Sequence, residues 1–299
     1  MLFIRVFFKT ICHNDYSSRH YIFKHISVIF MAVQQWEGRT SLLVGEENIE
    51  QLHKAHVLIV GLGGVGSYAA EAICRAGIGN ITIVDGDKVE ASNRNRQLPA
   101  LSSTEGQWKV DIMAARLRDI NPDVNLTIHK VFVKDDVADE ILDTRFDYVM
   151  DCIDTLAPKV HLIRKSRERG YPVVSSLGAA GRIRPELIRI EDISYSHNCH
   201  LAFYVRKKLR RHGIENNVTV VYSPETIDKE GVQLTETLQN KRSFLGTISF
   251  IPASFGLFCA SVVIRTLLGQ MDRLPVKAKK RRQTKKNISP TQSDNTTDP

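Results

Sequence analysis

The chain of 299 residues lacks any C-x-x-C pair, and its five cysteines are scattered. They are Cys12, Cys74, Cys152, Cys199 and Cys259. The missing pairs argue against a structural zinc site of that type, and the odd number argues against a disulfide framework. We interpret Cys152 and Cys199 as structural. This cysteine usage favours a reducing, cytoplasmic location.

The central part of the sequence also lacks net charge. The chain carries +8, but residues 1–30 hold +3 of this and residues 271–299 hold +5. Residues 31–270 are therefore neutral overall, so the basic character belongs to the two ends. The composition of residues 271–299 predicts a disordered basic tail. It is either a solubilising segment or one that attracts RNA by its charge.

The sequence contains no clean signal peptide. Residues 1–30 are apolar, aromatic and basic, but their apolar runs are too short and too interrupted for a membrane span. A small-residue cleavage site after an apolar core is missing as well. We interpret this segment as an N-terminal extension from an over-extended translation start, with ordinary globular sequence from Met31. The alternative is an organelle-targeting or surface helix.

Long apolar runs are scarce. The one that stands out lies at residues 248–268, of which residues 248–264 are uncharged. Seventeen residues lie at the lower limit for a membrane span. Pro252 stands near the start of the run and Arg265 follows it, while several small residues suit close helix packing. We therefore expect a buried core or dimer helix, with a membrane helix as the less favoured alternative.

The pattern that is present alternates strands with helices. Strand-like runs lie at 57–60, 81–85, 124–133, 146–151 and 172–176, and helix-like segments at 66–76, 109–120, 135–142 and 158–169. This alternation predicts an α/β fold of the Rossmann-like type, a mostly parallel sheet with helices on both faces. A mixed C-terminal part follows, with strands at 187–190 and 218–222 and a helix at 201–211. Residues 226–243 are polar, lack clear periodicity and predict a loop or lid.

A glycine-rich turn follows the first predicted strand, in VLIVGLGGVGSYAAEAICRAGIGNITIVD at residues 57–85. Its glycines are Gly61, Gly63, Gly64 and Gly66. They permit a tight turn and let backbone amides approach phosphate at a helix N-terminus. Asp85 ends the next strand, where an acid accepts hydrogen bonds from ribose hydroxyls. NAD and ATP both fit these features, so the turn leaves the nucleotide undecided.

The polar residues downstream favour ATP. A transferring phosphoryl or adenylyl group spreads negative charge that Arg, Lys and amide groups can stabilise. The candidate residues after the turn are Asp87, Asn93, Arg96, Gln97 and Lys109. Taken singly, Arg96 could be a loop-surface charge and Lys109 an ordinary helix-end lysine. Their order after a glycine turn is what points to a triphosphate.

Two carboxylates follow a later predicted strand, in the segment FDYVMDCIDT. Asp151 and Asp154 stand where a parallel strand ends, and a carboxylate beside a triphosphate is well placed to hold Mg²⁺. Asp151 could instead cap the following segment. We therefore expect ATP and Mg²⁺ as cofactors.

These motifs, in this order, resemble those of the ATP-dependent adenylating enzymes, which include ubiquitin-activating enzymes and activators of sulfur-carrier proteins. The resemblance runs from about Trp36 to Leu268 and implies an adenylating domain over residues 31–270. It implies that the glycine turn and Asp85 hold the nucleotide, that Asn93, Arg96, Gln97 and Lys109 contact phosphates, and that Asp154 binds Mg²⁺. It also implies a homodimer, in which Arg39 reaches the neighbouring subunit's triphosphate.

Within that superfamily the segments GAAGRIRPELIRIEDI, HLAFYVRKKLRRHGI and VVYSPE resemble the tRNA threonylcarbamoyladenosine dehydratases. This implies ATP-dependent cyclisation of a modified adenosine in tRNA through an acyl-adenylate. The alternative is an adenylyltransferase for a ubiquitin-like sulfur carrier, which the missing C-x-x-C pairs disfavour. A Rossmann-type module that binds a nucleotide without chemistry is a third interpretation, and an NAD-dependent oxidoreductase is weaker still.

A tRNA substrate requires positive surface, and a short predicted helix supplies it. Its charged residues are Arg206, Lys207, Lys208, Arg210 and Arg211. Leu201, Val205 and Leu209 recur at helical spacing and predict an inward face, with the charges outward. We interpret this helix as a tRNA-binding surface; the alternative is a solvated helix face.

Overall fold

The computed structural model describes residues 34–227, 232–238 and 241–277. The predicted extension at residues 1–30 and most of the predicted tail lie outside these residues. The described strands are β1 His56–Val60, β2 Asn80–Val84, β3 Asn125–His129, β4 Tyr148–Asp151, β5 Val173–Ser176, β6 Arg189–Asp192, β7 Thr219–Tyr222, β8 Val232–Leu238 and β9 Lys241–Leu245. The described α-helices are α1 Gly38–Val44, α2 Glu46–Lys54, α3 Gly66–Arg75, α4 Lys109–Ile120, α5 Asp135–Leu142, α6 Leu156–Glu168, α7 His200–Arg211 and α8 Phe250–Leu267.

Seven of these strands form one sheet in the order β3-β2-β1-β4-β5-β7-β6. All neighbours pair in parallel except β6, which runs antiparallel to β7. The chain leaves β1 toward β2 on one side and reaches β4 on the other. A ligand crevice is expected at this switch in strand order, outside the carboxyl ends of the strands.

Helices cover both faces of the sheet. Alternate residues of one strand enter different cores: Val57 and Ile59 pack with α2, α3, α4 and α8, whereas Leu58 and Val60 pack with α5, α6 and α7. A strand buried on both faces must be apolar throughout, which is why β1 reads as a continuous run. The predicted α/β fold with helices on both faces is confirmed.

The apolar run near the C-terminus forms α8, which packs against α3. By length and composition alone this helix could cross a membrane, but one face is buried in the core. Gly256 permits the contact, because a Cβ there would collide with the Val65 carbonyl oxygen. The expectation of a core helix agrees with this packing.

Two predicted elements differ from the structure. Residues 226–243 were expected to form a loop or lid, but they include β8 and most of β9, which pair antiparallel as a separate ribbon. The predicted strand at 124–133 ends at His129, because His129 pairs with Val84 and β2 ends at that residue.

Candidate active site

The glycine turn lies at the carboxyl edge of the sheet, between β1 and α3. The Gly61 amide donates to the Val84 carbonyl at 2.8 Å, and the Cys152 amide donates to the Val60 carbonyl at 2.9 Å. The ends of three adjacent strands are therefore tied together where the turn begins. Since α3 starts at Gly66, its N-terminal end lies at this edge and favours an anion.

Close neighbours leave no room for a side chain at three of the four glycines in this turn. Gly61 has φ +91°, and a Cβ there would lie 2.9 Å from the Cys152 carbonyl oxygen. A Cβ at Gly64 would lie 2.9 Å from Cβ of Pro252, and one at Gly66 would collide with the Gly61 carbonyl. At Gly63 a Cβ would be 3.8 Å from Nε2 of Gln97. Gly61, Gly64 and Gly66 are therefore positions where only a residue without a side chain fits, whereas a Cβ at Gly63 would make an ordinary contact.

Asp85 joins the turn to the loop after β2. Its Oδ2 accepts from the Leu62 amide at 2.6 Å and its Oδ1 accepts from the Asp87 amide at 2.7 Å. Burial raises the pKa of the Asp85 carboxyl, while these bonds and the nearby Lys109 charge oppose that shift. Each carboxylate oxygen keeps acceptor capacity, so a ribose hydroxyl could still be bound.

Lys109 and Asp87 form an ion pair at the same edge. The Lys109 ammonium lies 2.9 Å from Oδ2 of Asp87, with the lysine side chain 6% exposed and the aspartate 52% exposed. The Lys109 amide also donates to the Asp87 carbonyl at 3.1 Å. The lysine is therefore held at the start of α4 by an exposed partner with which an entering phosphate could compete.

The Asn93–Gln97 loop is braced by its own hydrogen bonds. Oδ1 of Asn93 accepts from the Glu90 amide at 3.2 Å, and its carbonyl accepts from the Gln97 amide at 2.9 Å. Arg96 donates to the Ser92 carbonyl at 3.1 Å. Burial lowers the Arg96 pKa and the charge of Asp154 opposes this, so these two predicted phosphate and metal ligands share one electrostatic environment.

The Gln97 amide gives a test of whether a ligand fits here. Its Oε1 is buried and has no hydrogen-bond partner among the described residues. A buried amide oxygen without a partner is costly, and oxygen and nitrogen of such an amide are interchangeable in placement. The amide lies beside Gly63 of the glycine turn, where a bound nucleotide would offer it donors and acceptors, so the chemistry of the residues present is compatible with ATP.

A buried ion pair that we did not predict lies beneath this edge. The fully buried Lys159 ammonium is 2.7 Å from Oδ2 of Asp151 and donates to the Ser176 carbonyl at 2.8 Å. The other Asp151 oxygen accepts from the Ile153 amide at 3.1 Å. Asp151 is thus occupied inside the fold, while the nearby Asp154 is exposed. The sequence feature that could have indicated this ion pair is the position of Lys159 on the inward face of α6, among apolar residues.

The described residues hold no group of three or more His, Cys, Asp or Glu side chains that could bind a metal by themselves. Mg²⁺ commonly takes one or two carboxylates and completes its shell with phosphates and water. Asp154 therefore fits a metal that arrives with a triphosphate. It does not fit a resident ion in an all-protein cage.

Arg39 lies apart from these contacts, and Cys152 takes part in them only through its backbone groups. Arg39 is exposed on α1, outside the contacts that join the glycine turn to Arg96 and Lys109. Burial raises the pKa of the Cys152 thiol to about 12, so it stays protonated and is a poor nucleophile. Cys199 is buried at the start of α7. A structural role for both cysteines agrees with these positions.

The loop after β5 is fastened by Arg182, which we also did not predict. The buried guanidinium donates to the Ser223 carbonyl from Nε at 3.3 Å, to the Ala180 carbonyl at 3.0 Å and to the Gly178 carbonyl. Glu225 accepts from the Ile183 and Arg184 amides at 3.1 and 3.0 Å. These bonds join the carboxyl ends of β5 and β7. They lie beside the carboxyl ends of β1, β2 and β4 with the glycine turn, which we call the nucleotide edge.

The basic helix forms as α7, with Val205 and Leu209 buried and Leu201 partly buried. Lys207, Arg210 and Arg211 are exposed and Lys208 is half-buried. The expectation that all five charges face outward is wrong for Arg206. Its guanidinium donates to the Ser196 carbonyl at 2.7 Å and to the Ser196 hydroxyl, because its position borders the inward face.

Comparison with known proteins places the chain among described enzymes. The family model described as the ThiF family matches residues 35–297. A tRNA threonylcarbamoyladenosine dehydratase of Bacillus subtilis is 38% identical over 81% of this chain and 98% of its own length. The enzyme of that name from Escherichia coli is 34% identical over 82% of this chain and 98% of its own length. Its crystal structure with ATP, under the name TcdA, superposes with a TM-score of 0.73 at 32% identity, over 80% of this chain and 97% of that one.

Proposed function

The chain belongs to the ThiF family, and we propose that it is an ATP-dependent dehydratase of threonylcarbamoyladenosine in tRNA. The observation that carries this is the match to dehydratases of that name over almost their full length. The glycine turn, the Asn93–Gln97 loop and Lys109 meet at one sheet edge, which is what a triphosphate site requires.

ATP is expected to lie across the carboxyl ends of β1, β2 and β4. The glycine turn would receive phosphate on its backbone amides, and Asp85 would accept from the ribose. Arg96 and Lys109 would take the charge that develops on the phosphates, with Asn93 and Gln97 as amide donors. Asp87 would release Lys109 to the phosphate and keep contact with the nucleotide loop.

The chemistry follows from placing a carboxylate beside the α-phosphorus of ATP. A carboxylate oxygen of the threonylcarbamoyl group attacks that phosphorus, forming an acyl-adenylate and releasing pyrophosphate. The carbamoyl nitrogen then attacks the activated carbonyl, loses its proton and expels AMP, which carries away the carboxylate oxygen. Because the nucleophile is tethered to the carbonyl, the protein need only orient the two groups. The raised pKa of Cys152 agrees with a route that has no cysteine nucleophile.

Asp154 would hold Mg²⁺ against the triphosphate. The ion supplies charge neutralisation on phosphate oxygens when it is bound. Within this chain, the bond from the Ile153 amide to Asp151 shapes the turn that presents Asp154.

A homodimer would bring Arg39 to the neighbouring subunit's triphosphate. The same helix exposes Leu42 by 90% and Leu43 by 85%, which is unusual for leucine and suits an interface. We expect the enzyme to act in the cytoplasm, where its tRNA substrate and reduced cysteines are found. The α7 charges would face the tRNA backbone.

The deciding experiment incubates the purified protein with ATP, Mg²⁺ and threonylcarbamoylated tRNA. We expect AMP release and a modified nucleoside lighter by one water, measured by mass spectrometry of the digested tRNA. An unchanged nucleoside mass contradicts the proposal. Adenylation of a carrier protein's C-terminal glycine in a parallel reaction would identify the enzyme as a carrier activator instead.

A further inference from the structure

The outer face of α7 changes character along its length. His200, Phe203, Tyr204, Lys207 and Arg211 follow one another at i, i+3, i+4, i+7 and i+11, so they form a single stripe on the helix. The buried residues of the helix lie on the opposite side, against the core below α5 and α6. The stripe is therefore aromatic in its first half and basic in its second half.

The aromatic half is a packed cluster that still faces solvent. Phe203 is 52% exposed and Tyr204 is 38% exposed. The His200 and Tyr204 ring centroids are 4.7 Å apart and those of Phe203 and Tyr204 are 5.2 Å apart, both in edge-on arrangements. An edge-on contact covers at most one face of each ring. The cluster thus offers ring faces whose orientation is already fixed.

The charge around this cluster suits a polyanion. Residues 200–212 contain no acid, and Lys207, Arg210 and Arg211 are exposed within three turns of the rings. A protein surface would have to supply carboxylates for all of these cations. RNA offers partners for the cations and for the rings, because its phosphates pair with cations and its unpaired bases stack on aromatic rings.

The position of the rings agrees with RNA entering at the catalytic edge. The N-terminal end of α7 lies against the loop after β5, since a Cβ at Gly178 would lie 3.5 Å from Sγ of Cys199 and 3.8 Å from Cβ of Leu201. The aromatic half therefore adjoins the sheet edge where the proposed function places the modified adenosine. The basic half lies toward the C-terminal end of the helix, farther from that edge.

We propose that His200, Phe203 and Tyr204 form a stacking platform for unpaired bases of the tRNA anticodon loop, next to the adenosine that undergoes cyclisation. Lys207 and Arg211 contact the phosphates that follow these bases. This inference rests on the proposed function and adds to it a base-stacking site at the entrance.

The test replaces both exposed rings by leucine, as Phe203→Leu with Tyr204→Leu, which keeps apolar bulk but removes the π faces. Binding of an anticodon stem-loop is measured by fluorescence anisotropy over a salt series. We expect the affinity to fall about tenfold or more, because each stacked base contributes substantially to single-strand binding. The slope of log K against log salt stays unchanged, because that slope reflects the number of neutralised phosphates.

Two controls separate stacking from general damage. Phe203→Tyr with Tyr204→Phe keeps both rings and should retain wild-type affinity. Phe258→Leu removes an exposed ring from α8 and should bind RNA as the wild type does. Thermal unfolding midpoints of all variants are compared first, so that a misfolded variant is recognised.

Three results would overturn the inference. The first is wild-type affinity of the double leucine variant for the stem-loop. The second is an equal loss of affinity for a fully paired RNA without a loop. The third is dissociation of an oligomer, which would make the rings a protein interface. If the wild type dehydrates its tRNA while the leucine variant binds normally, only the stacking site fails; if the wild type leaves the nucleoside unchanged, the proposed function fails.

Discussion

The nucleotide edge and the outer face of α7 are built in opposite ways. At the nucleotide edge most polar side chains already have partners within the chain, with Oε1 of Gln97 as an exception. Both Asp85 oxygens accept hydrogen bonds from backbone amides, Lys109 pairs with Asp87, and Lys159 pairs with Asp151. On α7 the rings of Phe203 and Tyr204 face solvent, and so do most of the cations.

This difference indicates how each region recognises its ligand. A preorganised edge is suited to stabilising charge that develops during a reaction, since its groups need not reorganise at that moment. An exposed stripe acquires its partners only when a large ligand arrives, so it contributes to affinity rather than to the chemical step. Substitutions at the edge should therefore affect the fold or turnover, and substitutions on α7 should affect binding.

The largest effect is expected beneath the nucleotide edge, at Lys159. Replacing it in Lys159→Met leaves the Asp151 carboxylate buried without its cation. Breaking one partner of a buried pair commonly costs about 3–5 kcal/mol of the free energy of unfolding. Denaturant unfolding of this variant measures the loss, and a wild-type midpoint would show that the ion pair does not organise the edge.

The pH dependence of that variant sharpens the test. Burial already raises the Asp151 pKa, and without Lys159 the folded state should bind this proton still more tightly than the unfolded state. Stability then falls as pH rises from the unfolded pKa through the raised folded value. The loss in free energy of unfolding of Lys159→Met relative to the wild type should accordingly be larger at pH 8 than at pH 5. Adding Asp151→Asn should remove this dependence.

Arg96→Ala should break catalysis without breaking the fold. Removal of one donor that stabilises a developing charge typically lowers kcat about 10²- to 10³-fold. Arg94→Ala is the matched control, since Arg94 is an exposed arginine in the same loop whose Nε donates to the Ala91 carbonyl at 3.3 Å. AMP release with threonylcarbamoylated tRNA measures both. Equal rates for the two variants would contradict the assignment of Arg96 to the phosphates.

The sequence predicted the parts of this edge that depend on local patterns. The apolar runs of β1 and β2, the glycine turn and Asp85 each have a short-range signature that the structure reproduces. The residues of the Asn93–Gln97 loop could be identified by resemblance, because their order along the chain is informative. Their roles toward ATP stay predictions.

Contacts between distant segments could not be predicted in this way. Ser175 meets Asp151 because β4 and β5 are neighbours, and Arg182 reaches Ser223 because β5 and β7 are neighbours. The ribbon β8–β9 was missed because its two segments, VQLTETL and KRSFL, lack the continuous apolar run that identified strands of the main sheet. Arg206 lies at the border of a helix face, where spacing alone cannot distinguish inward from outward.

A substitution at Arg39 tests whether the nucleotide edge of one chain needs an arginine from a partner subunit. Arg39→Ala should lower turnover about tenfold to a hundredfold by removing a positive charge from the partner's triphosphate. Mixing it with Arg96→Ala should restore about a quarter of wild-type activity, since half of random dimers contain one intact composite site. AMP release before and after subunit exchange measures the recovery. Two variants that stay inactive when mixed would place Arg39 outside the partner's site.

The smallest effect is expected for the α7 charges, and it is the one that separates α7 from the nucleotide edge most clearly. Lys207→Gln with Arg211→Gln should raise the tRNA KM severalfold and leave kcat nearly unchanged, because these cations bind only the RNA backbone. The slope of log K against log salt should become shallower by roughly 0.7–0.9 for each phosphate that is no longer neutralised. Lys54→Gln, at an exposed lysine on α2, is the control.

The leucine variants of the aromatic half should weaken RNA binding without changing the slope of log K against log salt. The glutamine variants of Lys207 and Arg211 should change that slope. A change in kcat instead would mean that α7 takes part in the chemical step, and the contrast between the two regions would then fail.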